Sequence, residues 1–269
     1  MFDNLSSEEK ILQWISDMSS ECSVSYPMLQ ELYDGNTKPV AVDIGANVGG
    51  FCLSNHKMFE NIYAFEPYKP NVQVMQIGME FLNINNVKVF HQAVHSKSGE
   101  RLSLKSPNLK YSGDITCVER EGLEDLGETC TTISLQHLMD GLKIDKIDYL
   151  KMDCEGSEYD ILENFKNMKK IDILCIEIHD IYGFERKTSL IKKIEKTHTI
   201  LAPMSIETSD AGRKAGWGLF PVTETYDSDI ELLKKWMSRV YNILCVNEEN
   251  IDLDMFPPNM IIKRSLNAT

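Results

Sequence analysis

The stretch Val40-Ala41-Val42-Asp43-Ile44-Gly45-Ala46-Asn47-Val48-Gly49-Gly50 decides how this chain folds. An apolar run ends on an acid, a glycine turn follows, and an amphipathic segment begins at Phe51. That order describes a strand feeding a turn and then a helix. A second apolar run, Ile62-Tyr63-Ala64-Phe65, ends at Glu66. A glycine turn between strand and helix, with an acid at the tip of the next strand, makes a site for a nucleoside-bearing cofactor. Glycines let backbone approach a ligand, and a carboxylate accepts two hydrogen bonds from a ribose diol.

The details of the turn bear on which cofactor. A dinucleotide fingerprint reads G-x-G-x-x-G, whereas here Asn47 replaces the middle glycine and Asp43 sits two residues before the turn. A carboxylate repels a diphosphate but attracts an amino-acid ammonium, by ~1 kcal/mol or more once partly desolvated. S-adenosylmethionine carries an ammonium, a sulfonium and a ribose, and no phosphate. The residues favour it over NAD. An NAD-dependent oxidoreductase is the alternative, weakened further by the lack of a Tyr-x-x-x-Lys pair. A non-catalytic cofactor-binding module on the same fold is the other.

Outward from this stretch the chain alternates strand and helix. Strand 40–44 leads to helix 49–58, strand 61–66 to helix 69–83, and strand 87–94 follows. Strand 147–152 leads to helix 157–166, and strand 171–178 to helix 186–197. Val- and Ile-rich runs, each followed by a helical pattern, predict a mostly parallel sheet with helices on both faces. The runs 199–207 and 240–246 lack that rhythm and suit an antiparallel edge, with a helix over 228–239 between them. Residues 98–132 break the rhythm as an inserted hairpin or flap. Residues 1–38 read as a helical extension: Ser6 and Glu9 make a capping-box pair ahead of Ile11, Leu12, Ile15 and Met18. One α/β domain over 39–269 is expected.

Bulk properties narrow the class. The chain has 269 residues, enough for one sizeable core. Its net charge of −13 disfavours nucleic acid, whose binding depends on neutralising phosphates with Lys and Arg. Apolar runs are too short for a membrane span. Met1-Phe2-Asp3-Asn4 shows no basic or apolar leader pattern, so a cytoplasmic home is expected. The 7 cysteines are scattered without a C-x-x-C, which suits buried thiols in a reducing compartment.

A second constellation closes strand 147–152: Lys151-Met152-Asp153-Cys154-Glu155-Gly156-Ser157-Glu158. Carboxylates crowded at a strand-to-helix junction call for a cation or proton between them. The next strand ends Cys175-Ile176-Glu177-Ile178-His179-Asp180, again presenting acids and an imidazole at the sheet top.

The segments 42–49, 64–67 (Ala-Phe-Glu-Pro) and 150–158 together resemble the FkbM-type methyltransferase family, in the right order over roughly residues 39–180. The resemblance implies a class I, Rossmann-like fold with a seven-stranded sheet, S-adenosylmethionine as cofactor, and methyl transfer to oxygen, often a sugar hydroxyl. It implies that Asp43, Gly45, Ala46, Asn47 and Gly49 hold the methionine end and Glu66 the ribose. Pro67, Gln92 and Ala93 would lie by the adenine, and Asp153 beside the cofactor.

An alcohol does not ionise at neutral pH, so the reaction needs a base or a metal. The first expectation is His179 as general base, oriented by Asp153 or Glu177. The second is Mg²⁺ or Mn²⁺ held by Asp153 with Glu177 or Asp180. For the acceptor, a small hydroxylated molecule expected to be a saccharide, the candidates are Glu155, Tyr182, Arg213 and Trp217. The last two lie in a glycine-rich loop within 208–227, where an indole face would stack on a sugar ring. The sequence leaves a homo-oligomer open.

Overall fold

A computed structural model of the chain describes residues 38–107, 114–179, 181–200, 204–206, 219–221 and 242–253. The expected helices of 1–38 and 228–239 lie outside the described residues, as does the loop at 208–227 apart from the short strand within it.

The principal sheet is built from β1 (Val40–Ile44), β2 (Asn61–Glu66), β3 (Val87–His91), β7 (Ile147–Met152), β8 (Ile171–Glu177) and β12 (Asn242–Val246). Short strands β9 (Thr199–Ile200), β10 (Met204–Ile206) and β11 (Leu219–Pro221) complete it. Its order runs β11-β10-β12-β8-β7-β1-β2-β3, with β9 also on β12. The pairs from β3 to β8 are parallel, and β12 lies antiparallel to β8. Both β9 and β10 pair with β12, so the single expected strand 199–207 forms that edge in two pieces, with β11 added outside it.

Strand periodicity places the cores. Val42, Ile44, Leu150, Met152, Leu174 and Ile176 face one side. There they meet α3 (Leu135–Leu142), α4 (Glu158–Asn164) and α5 (Phe184–Ile194). Ala41, Ile62, Ala64, Tyr149 and Ile173 face the other, against α1 (Gly50–Asn55) and α2 (Lys69–Phe81). Burial of both faces is why the strands read as nearly continuous apolar runs.

The expected strand 87–94 divides. Pairing with β2 stops at Glu66↔His91, and β4 (Ala93–His95) then joins a second sheet, β4-β6-β5. Val94 packs into the first core, while Ala93 packs beneath the small sheet with Leu104 and Cys130. In that sheet β5 (Arg101–Ser106) and β6 (Glu124–Ser134) are antiparallel, with a register shift between Ser103 and Lys105. The connection between β5 and β6 brings Ile115 and Cys117 to the tips of β1, β2 and β7.

Candidate active site

The glycine turn follows β1 and packs on the tip of β7. Gly45 has φ +74°, and a Cβ there would lie 1.7 Å from the Asp153 carbonyl oxygen, so no side chain fits. Four of the turn's amides are engaged within the protein. Gly45 and Ala46 donate to the Phe65 carbonyl at 3.0 and 3.1 Å, and Gly49 donates to that of Ala46 at 2.8 Å. Asn47 N–H donates to Glu66 at 2.8 Å. The row of free donors that would cradle a pyrophosphate is absent at these positions.

Asp43 is fully buried and faces α1. Cys52 Sγ donates to its Oδ2 at 3.3 Å, and Lys151 Nζ stands 3.2 Å from Oδ1, close enough for an ion pair but poorly aligned for a hydrogen bond. Lys151 also donates to the Gly45 carbonyl at 2.9 Å and lies 4.0 Å from Asp153. Asp43 was expected to face a cofactor ammonium. Strand alternation instead turns it away from the cleft, and the ammonium it meets is that of Lys151. Its influence on the turn therefore runs through that lysine.

Glu66 closes β2 and is 4% exposed. Its two oxygens accept from Asn47 N–H and Tyr68 N–H, each at 2.8 Å. Burial pushes its carboxyl up to about 7, against the pull of these backbone hydrogen bonds. Asn71 in α2 donates to the Asn47 side chain at 2.9 Å, fixing that left-handed residue. An open cleft of about 540 Å³, its solvent-filled mouth included, lies between these strand tips. Gly45, Asn47, Glu66, Pro67, Ala93 and Asp153 line it. Asp43, Ala46, Gly49 and Gln92 are not on its walls.

Next to the cleft, one imidazole is ringed by carboxylates. His179 Nδ1 hydrogen-bonds to Glu158 Oε1 at 2.8 Å. Its Nε2 lies 3.3 Å from Glu155, 3.8 Å from Glu177 and 3.9 Å from Asp153. Burial pulls the His179 pKa down, but the hydrogen bonds and charges of Glu155 and Glu158 outweigh it and raise it to about 11. The expected orienting partners were Asp153 or Glu177. Glu158 takes that place, because α4 begins beneath the loop after β8 and its first residue is wholly buried there. Asp153, Glu177 and His179 each offer a ligand atom, all within 4.8 Å of one another. Asp180 lies outside the described residues.

Of the acceptor candidates, Glu155 lines the cleft. The Tyr182 ring stands edge-on to Tyr159 at 4.9 Å and carries the Arg186 guanidinium 4.1 Å above it, so that face is already covered. Arg213 and Trp217 lie outside the described residues. The sequence reading passed over Ile115 and Cys117, which line the cleft from the hairpin side, and the structural part of Lys151. The first two carry no motif. Lys151 did leave a signal, since a lysine inside a buried strand requires a partner.

Residues 43–211 match the methyltransferase FkbM domain family. The hexuronic acid methyltransferase AglP of Haloferax volcanii is 26% identical over 167 residues, covering 61% of this chain and 65% of that protein. The match thus spans just under two thirds of the relative's length. Among solved structures, an rRNA methylase from Streptococcus thermophilus aligns over 83% of this chain and 93% of its own, at 12% identity and a TM-score of 0.44. Magnesium protoporphyrin IX methyltransferase (ChlM) from Synechocystis PCC 6803 with bound SAM aligns over 90% and 92%, at 11% identity and a TM-score of 0.39. Likenesses this distant say nothing about the acceptor.

Proposed function

The chain belongs to the FkbM methyltransferase family, and on that premise we propose that it is an S-adenosylmethionine-dependent O-methyltransferase acting on a saccharide hydroxyl. Five parallel strands followed by antiparallel β12 give it the class I methyltransferase order. The observation that carries the cofactor assignment is the turn itself. The amides of Gly45, Ala46, Asn47 and Gly49 bond to the protein's own acceptors, while the buried Glu66 lines the cleft beside them. That donor set fits a ligand with a ribose and no phosphate, and does not fit a dinucleotide. In this reading Glu66 takes the ribose diol, Pro67 and Ala93 flank the base, and Gly45, Asn47 and Asp153 bound the amino-acid end. The saccharide acceptor is supported by the hexuronic acid methyltransferase relative.

When bound, the cofactor supplies an activated methyl group. The chain's own residues then have to hold a hydroxyl in line and receive its proton. Asp153 and Glu155 both line the cleft and belong to the His179 cluster, but Asp153 alone of the two also packs on the Gly45 turn, and in this reading it receives the proton. In this reading His179, held by Glu158 and with its pKa raised by Glu155 and Glu158, steadies the carboxylates around it rather than acting as a free base. Asp153→Asn should lower turnover about 100-fold or more.

A second reading uses Asp153, Glu177 and His179 as ligands for Mg²⁺ or Mn²⁺, which would polarise the acceptor hydroxyl. Two carboxylates and an imidazole suit Mn²⁺ better than Mg²⁺. Full activity after exhaustive EDTA treatment would remove this reading. The cofactor assignment is tested by calorimetry with S-adenosylhomocysteine and NAD⁺. Binding of the former alone is expected; binding of NAD⁺, or of neither, would overturn it.

A further inference from the structure

We propose that Thr116 is a positioning residue that couples the cofactor cleft to the acid cluster, so that filling the cleft steadies Glu155 and His179 for the acceptor. This rests on the cofactor reading above. Residues 115–117 alternate in direction: Ile115 and Cys117 line the cleft, whereas Thr116 is 1% exposed and reaches behind them to the backbone of Glu155, itself a residue of the cleft wall. Its Oγ1 donates to the Glu155 carbonyl at 2.8 Å and accepts from Val118 N–H at 3.0 Å. Its backbone is tied to Lys105 in β5 by two reciprocal hydrogen bonds of 2.9 Å. The hydroxyl is therefore held by the hairpin.

What it grips is strained. Glu155 has φ +53°, a left-handed conformation that costs a non-glycine residue about 1–2 kcal/mol. Gly156 follows at φ +106°, where a Cβ would come within 2.2 Å of Ile181 Cδ1 and 3.6 Å of Val118 Cγ2. The 155–156 turn is thus clamped between the hairpin and the loop after β8. That loop carries His179, whose carbonyl accepts from Ile181 N–H at 3.0 Å and from Tyr159 Oη–H at 2.9 Å. The Glu155 carboxylate closes the circuit, 3.3 Å from His179 Nε2.

A ligand pressed against Ile115 and Cys117 restrains the backbone carrying Thr116, and the hydroxyl passes that restraint to the Glu155 backbone and on to the His179 loop; Glu155 also meets the cleft directly, so the share carried by Thr116 is the part that its hydroxyl's removal abolishes. The coupling is one of ordering. A hydrogen bond with a net value of about 1 kcal/mol corresponds to about a fivefold change in a local opening equilibrium.

The test is hydrogen exchange read by mass spectrometry on the full chain, with and without S-adenosylhomocysteine, for wild type, Thr116→Ser and Thr116→Val. Calorimetry runs alongside. The decisive peptide spans 177–183, whose described residues are off the cleft walls. Saturating ligand should slow its exchange about fivefold in wild type and Thr116→Ser, and less than twofold in Thr116→Val, with similar Kd in all three. Equal slowing in the Val variant overturns the coupling. Should that variant be too unstable to assay, Thr116→Ala replaces it in the same comparison with the same two outcomes, and binding to wild type without slowing at 177–183 refutes the proposal outright. Lack of binding to wild type would strike the cofactor reading instead, and calorimetry reports that separately.

Discussion

Replacing Lys151 with Met keeps the side chain's length and removes its charge. The ammonium it deletes stands 3.2 Å from Asp43, a residue with no solvent exposure, and donates to the Gly45 carbonyl at 2.9 Å. At an effective dielectric of 20, two charges at that separation interact by about 5 kcal/mol. Removing one partner of a buried pair costs about 3–5 kcal/mol, because the other is left without compensation. A loss near 4 kcal/mol is expected, which for a domain of this size lowers Tm by about 8–16 °C. Urea unfolding followed by circular dichroism measures it. The double variant Lys151→Met/Asp43→Asn should recover at least half of the loss, since it removes the stranded carboxylate. S-adenosylhomocysteine affinity should fall in the single variant, because the Gly45 turn loses its tether. A loss below about 1 kcal/mol, or a double variant no more stable than the single one, would refute the claim that Lys151 neutralises Asp43 and fixes the turn.

Other expectations are as direct. Gly45→Ala places a Cβ 1.7 Å from the Asp153 carbonyl at a positive φ, so it should abolish S-adenosylhomocysteine binding in calorimetry while the Gly141→Ala control, with open space at its Cβ, retains it. Glu66, held near 7 by burial, accepts a diol best when ionised, so affinity should rise about tenfold between pH 6 and pH 8. Glu66→Gln should flatten that dependence; an unchanged slope would separate Glu66 from the ribose. The His179 pKa lies near 11 in the folded protein against an ordinary 6.5, so its contribution to stability is complete below about 6.5 and is lost as pH rises through about 11. His179→Gln should remove that part of the decline in urea midpoints measured from pH 7 to pH 10.

The sheet was legible because its strands are buried on both faces. The expected strands 40–44, 61–66 and 147–152 coincide with β1, β2 and β7. The division of 87–94 was not legible. Val94 and Ala93 are apolar for two different sheets, and a run of apolar residues does not record which partner each one meets. The carboxylate-rich loop after β7 was visible as a cluster of charge, yet its arrangement around His179 was not, because Glu158 reaches the imidazole from α4, 21 residues away in sequence.

The strand–turn–helix rhythm, the glycine turn and the acids at the strand tips are written in the order of residues alone, since these depend on local periodicity and turn chemistry. It took the assembled fold to bar a side chain at Gly45 by the Asp153 carbonyl, to turn Asp43 to Lys151, to set Glu158 on His179 and to bring Thr116 to Glu155 across 39 residues of chain. Those are contacts between separate elements. Which charge neutralises which, and how far burial moves a pKa, follows from distances that exist only once the sheet has assembled.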